Sequence, residues 1–82
     1  MDYVIQTPAQ LGIHLRGRRR ALKLTQAEAG SKLGLSQKRL SALELHPQRL
    51  TVEQLLNLAS TLQLELVMRD KSPSSEATPG EW

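Results

Sequence analysis

Thr25-Gln26-Ala27-Glu28-Ala29-Gly30-Ser31-Lys32-Leu33-Gly34-Leu35-Ser36-Gln37-Lys38-Arg39-Leu40-Ser41-Ala42-Leu43-Glu44 is the stretch on which the fold turns. Thr25 with Glu28 three residues later forms a capping box, in which each side chain satisfies the other's orphan backbone N–H. A short helix is therefore expected over Gln26 to Leu33. Gly34 breaks it, because glycine enters the left-handed region without a Cβ penalty. Ser36 is the next N-cap, and Gln37 to Leu45 reads as a helix with Leu40 and Leu43 facing inward and Gln37, Lys38, Arg39 and Ser41 left polar. His46-Pro47 ends it, since the residue before a proline is pushed out of the α region.

Upstream, Thr7-Pro8 reads as an N-cap followed by proline at the first helical position. A first helix should run from Pro8 to about Leu22, with Leu11, Leu15 and Leu22 on one stripe and Gly12 and Gly17 weakening it slightly. Ahead of it, residues 1–6 form an arm or a short strand containing Tyr3, Val4 and Ile5. Downstream, Thr51 and Gln54 make another capping box, opening a helix whose Leu55, Leu58, Ala59 and Leu62 form its apolar face. The period then changes. Gln63 to Arg69 alternates so that Leu64, Leu66 and Met68 share one face of an extended strand. Such a strand has no sheet partner in its own helices, and its simplest partner is the same strand of a second subunit, antiparallel by two-fold symmetry. The runner-up partner is the Tyr3 to Gln6 segment. From Asp70 onward Ser, Pro, Thr, Gly and Glu cannot bury enough apolar area to offset ordering entropy, so residues 70–82, ending in Trp82, read as a disordered tail. Residues 7–69 are left as one mostly α domain, a bundle of four or more helices plus one C-terminal strand that pairs across a homodimer.

Composition narrows the function. A chain of 82 residues builds one core, and with no Phe and abundant Leu that core is a helical one. With no Cys, and with only His14 and His46 as imidazoles, neither a disulfide nor a ready zinc site is expected, and no cofactor is implied. The net charge of +3 understates the asymmetry. From Arg16 to Arg49 the cations are Arg16, Arg18, Arg19, Arg20, Lys23, Lys32, Lys38, Arg39 and Arg49, opposed only by Glu28 and Glu44. A basic middle between acidic ends suits a polyanionic partner. Without a signal-peptide run or a membrane span, the chain is expected to be cytoplasmic. No nucleophile set, phosphate loop or metal signature supports an enzyme.

The quoted stretch resembles the helix-turn-helix of the Xre or lambda-repressor-like family, and Leu15-Arg16-Gly17-Arg18-Arg19-Arg20-Ala21-Leu22-Lys23-Leu24 resembles that family's first helix. The resemblance implies a second helix that enters a major groove about 12 Å wide. It implies roles for particular residues. Gln26 would bond a DNA phosphate, Gln37 would read a base edge, and Lys38 and Ser41 would be the next base contacts. Arg39 would reach base or phosphate, and Ser36 would cap the helix or bind phosphate. Arg19 would pair with Glu44 as a structural ion pair. Two departures stand out: Lys23 replaces the glycine that usually ends the first helix, and Ala29-Gly30 replaces the usual Leu-Ala, shrinking that contact. The Leu62 to Met68 segment, the polar tail and the terminal Glu81-Trp82 resemble the HipB antitoxins of HipBA toxin-antitoxin modules. That resemblance implies a homodimer interface at Leu64, Leu66 and Met68, repression of a palindromic double-stranded operator, inhibition of a HipA-type serine/threonine kinase toxin, and a partner-binding role for Trp82.

Two other functions fit less of the chain. One is a stand-alone Xre-type regulator, such as a phage repressor or a restriction-modification controller. The other is a toxin-neutralising interaction protein whose DNA binding is incidental.

Overall fold

Helix α1 spans Pro8–Ala21, α2 Gln26–Leu33, α3 Gln37–Leu45 and α4 Val52–Thr61, with a 3₁₀ turn at Pro47–Arg49, in a computed structural model that describes residues 2–71. Each α-helix starts at a side-chain cap. Thr25 and Thr51 close the expected boxes with Glu28 and Gln54, and Thr7 closes one with Gln10. Ser36 accepts from the Arg39 N–H at 3.1 Å but receives nothing back, because arginine stands where the box needs an acceptor. Each such cap stabilises its helix by about 1 kcal/mol.

Three helices end by one device, written in the sequence as Leu-x-Leu. In Leu22-Lys23-Leu24, Leu33-Gly34-Leu35 and Leu62-Gln63-Leu64 the middle residue is left-handed, with φ of 60°, 73° and 59°. The N–H of the leucine that follows returns to a carbonyl five residues back: Leu24 to Arg19 at 3.0 Å, Leu35 to Gly30 at 2.8 Å, Leu64 to Ala59 at 2.8 Å. This is the Schellman closure. Gly34 adopts it freely, whereas Lys23 and Gln63 do so at about 1 kcal/mol each. What offsets that cost is burial, since Leu22, Leu24 and Leu64 all pack against the core.

The core is Leu15, Ala29, Leu40, Leu58 and Leu62, which joins α1, α2, α3 and α4. The Ala29-Gly30 pair is a fit to close approach rather than a loosened contact. A Cβ on Gly30 would stand 2.7 Å from the Leu35 carbonyl oxygen, so any side chain there would push α2 off the turn that follows it. Arg18 reaches across from α1 and donates from Nε to the Leu62 carbonyl at 3.0 Å, satisfying an orphan acceptor at the end of α4.

No strand forms among the described residues. Gln63, the first residue of the expected strand, is taken up by the closure of α4, and residues 64–71 have no regular structure. A strand is held by ladder hydrogen bonds to a neighbour, which one copy of this segment does not supply to itself. Leu64 is half-buried on the core, while Leu66 and Met68 lie exposed, Met68 completely. The arm folds back along α1, where the Tyr3 ring stacks on His14 with centroids 4.2 Å apart. Asp2 reaches Arg69 at 3.2 Å, so the two end segments meet through side chains. Trp82 and the tail from Ser72 lie outside the described residues. No helix among the described residues is long and apolar enough to cross a membrane.

Candidate nucleic-acid interface

Helix α3 is amphipathic by position. Leu40, Leu43 and Glu44 are buried, and at 3.6 residues per turn this leaves Lys38 and Ser41 towards the opposite side with Arg39 on one flank, while Gln37, near the bearing of Glu44 two turns on, is exposed because it opens the helix. Gln37, Lys38 and Arg39 are exposed and Ser41 is half-buried. Among the described residues none of these four side chains makes a hydrogen bond or ion pair, so their donors remain free for a ligand. Leu45, on the last turn of the helix, is exposed and adds an apolar element that sequence reasoning left unassigned.

Helix α3 is anchored by its other side. Glu44 is buried and accepts from Arg19 twice, Nε to Oε2 at 2.6 Å and Nη2 to Oε1 at 3.2 Å. The Arg19 Nη1 donates to the Leu24 carbonyl at 3.0 Å, in the loop between α1 and α2. The third donor to Glu44 is Gln26, whose Nε2 lies 3.1 Å from Oε1. One ion pair thus fastens α1, the loop after it, the start of α2 and the far end of α3. A bidentate, buried guanidinium–carboxylate pair has little freedom to shear, so the angle between α2 and α3 is held by charge as well as by leucines.

Ser36 is confirmed as a cap by its bond to the Arg39 N–H. At the start of α2 the Thr25 backbone N–H, donated to Glu28 at 2.8 Å, holds the Glu28 carboxyl below its usual range, helped by the Thr25 hydroxyl and by Lys32. Gln26 is the first residue of α2, where an anion is favoured by the helix dipole.

The pattern of the Helix-turn-helix family matches residues 15–67, from the second half of α1 through α4 and into the segment after it. The chain belongs to that family. No curated protein matches this helix-turn-helix chain in sequence. Solved structures do match its fold. A HipA-HipB-O2-O3 complex is 25% identical with a TM-score of 0.77, the match covering 87% of this chain and 100% of that one. A HipB variant on an O2 20mer is 26% identical with a TM-score of 0.78, over 88% of this chain and 100% of that one. A HipB-O4 20mer complex is 25% identical with a TM-score of 0.77, over 87% and 100%. The chain is a helix-turn-helix DNA-binding regulator, similar in structure to HipB in its DNA complexes.

Of the residues singled out from the sequence, Gln37, Lys38, Arg39 and Ser41 stand together on α3, and Arg19 and Glu44 meet as the resemblance implied. Gln26 is found in a place that reasoning about phosphate alone did not anticipate, tied to the buried ion pair. Arg18, taken as one cation among several, is committed to the end of α4. Nothing local in the sequence marks Arg18 for the end of α4 or Gln26 for a bond to Glu44.

Proposed function

We propose that this chain is the dimeric repressor of a two-fold-symmetric operator and the antitoxin of a HipBA-type module, restraining a HipA-type serine/threonine kinase in the cytoplasm. The observation that carries the reading is the match, over all of the HipB chains and nearly nine-tenths of this one, to HipB on its DNA and with HipA, combined with an α3 surface whose polar side chains are unengaged. In this reading Gln37 reads a base edge, Lys38 and Ser41 extend the readout, Arg39 contacts base or phosphate, Gln26 bonds a phosphate, and Ser36 caps α3. The dimer is closed by Leu64, Leu66 and Met68. Their alternation and the full exposure of Met68 in the single chain support a partner on that edge. Trp82 supplies an aromatic anchor for the toxin, a role tested by truncation after Lys71, which should weaken toxin binding and leave operator binding intact.

The decisive experiment measures Gln37→Ala on a duplex carrying the chain's own promoter and on random DNA. A loss of about 1–3 kcal/mol confined to the promoter is expected. Equal losses on both would remove Gln37 from base readout. Inhibition of the neighbouring kinase by the purified chain tests the antitoxin half, and a kinase indifferent to it would leave a stand-alone regulator.

A further inference from the structure

Gln26 presents a problem that the phosphate reading alone does not solve. A carboxamide has two ends of almost the same shape, an oxygen that only accepts and an NH₂ that donates twice. Towards a phosphate one end attracts and the other repels. An unrestrained glutamine at the start of a helix would sample both orientations and would have to be ordered when DNA arrives. Here it is restrained. Glu44 is buried, its carboxylate can only accept, and it is held in place by two bonds from Arg19, so the group it draws to its Oε1 must be a donor. That donor is the Gln26 Nε2 at 3.1 Å.

We infer that Glu44 is a positioning residue for DNA binding, acting through Gln26: it selects the orientation of the Gln26 carboxamide and leaves the second N–H of Nε2 on a fixed bearing for a phosphate oxygen. This rests on the reading of Gln26 as a phosphate ligand. Glu44 is within the core and touches no DNA itself. Its carboxylate does two things at once, neutralising Arg19 with one set of lone pairs and steering Gln26 with another. The physical gain is preorganisation, because the rotamer of Gln26 is set during folding rather than during binding. A charged acceptor also polarises the amide, which strengthens its remaining N–H as a donor.

The experiment combines a double-mutant cycle with a spectroscopic measurement on the unmodified chain. Operator affinity per folded molecule is measured for Gln26→Ala, Glu44→Gln and the two together, on a duplex spanning the chain's own promoter. Each single change is expected to weaken binding about tenfold, the scale of one charge-assisted hydrogen bond, and the double variant to be no weaker than either. Losses that multiply, or a Glu44→Gln protein that binds as well as the parent, would overturn the inference while leaving Gln26 as a phosphate ligand. A Gln26→Ala protein with full affinity would overturn the phosphate reading itself and the inference with it. Should Glu44→Gln fail to fold, the side-chain amide protons of Gln26 in the parent protein decide. One proton should be protected from exchange in the free chain and unmoved by the duplex, and the other should shift when the duplex is added. Free-amide behaviour of both protons, or loss of the protected one on binding, would overturn the inference.

Discussion

Arg19–Glu44 and Arg69–Asp2 bring the same two functional groups together in two different surroundings. The first pair is made by side chains only 9% and 4% exposed, with two N–H···O contacts and further bonds to Leu24 and Gln26. The second is a single 3.2 Å contact between side chains 64% and 79% exposed. In the interior, water has been removed from both charges and each is intolerant of losing its partner. At the surface, water and salt replace the partner almost as well as the partner itself. The difference separates an ion pair that sets the geometry of four elements from one that merely records where two chain ends meet.

The comparison is broken most severely at Arg19. Arg19→Ala leaves Glu44 buried and unpaired, and is expected to lower stability by about 3–5 kcal/mol in urea denaturation, enough to unfold much of so small a domain. An unchanged midpoint would mean that Glu44 finds water in solution. Replacing both partners with apolar residues, Arg19→Met with Glu44→Leu, should recover most of that loss, because the penalty lies in the orphaned charge rather than in the missing attraction. The same double variant should lose the alignment of Gln26, so stability and operator affinity would part company.

A smaller change tests how much of Arg19's work lies in the loop it holds. The arginine bonds the Leu24 carbonyl immediately after left-handed Lys23, so the turn is clamped where it is strained. Lys23→Gly should raise stability by about 1 kcal/mol in the parent protein, read as a higher melting temperature. The smallest effect belongs to the surface pair. Asp2→Asn should shift stability by no more than about 0.5 kcal/mol, and the shift should vanish in high salt. A larger or salt-insensitive loss would show that the arm and the C-terminal segment are docked more firmly than this exposed contact implies.

The same contrast marks what was legible in advance. The Thr25–Glu28 and Thr51–Gln54 boxes, the Leu stripes and the break at Gly34 are readable because each depends on residues within one helical turn of each other. The Arg19–Glu44 pair came from resemblance, not from spacing, and the fold bears it out. Three neighbours, Arg18, Arg19 and Arg20, look alike in sequence. In the fold one reaches the Leu62 carbonyl, one is buried on Glu44 and one is exposed, because successive helical residues point about 100° apart into different surroundings. The repeated Leu-x-Leu endings were visible as letters and the resemblance marked Lys23 as standing in for a capping glycine, but that glutamine would take the left-handed place at the end of α4 follows only from the leucine it delivers to the core.

What the amino-acid sequence determined by itself is therefore local: four helix starts, the stop at Gly34, and the polar positions Gln37, Lys38, Arg39 and Ser41 on the helix that follows. What the tertiary structure decided is which distant groups share a partner. The caps join residues three apart, whereas Gln26–Glu44, Arg19–Glu44 and Arg18–Leu62 join residues separated by 18, 25 and 44 positions. Contacts within a turn follow from backbone geometry that every helix shares. Contacts between helices depend on how closely those helices pack and at what angle, and here a buried carboxylate, two close-fitting small residues and three left-handed turns set both.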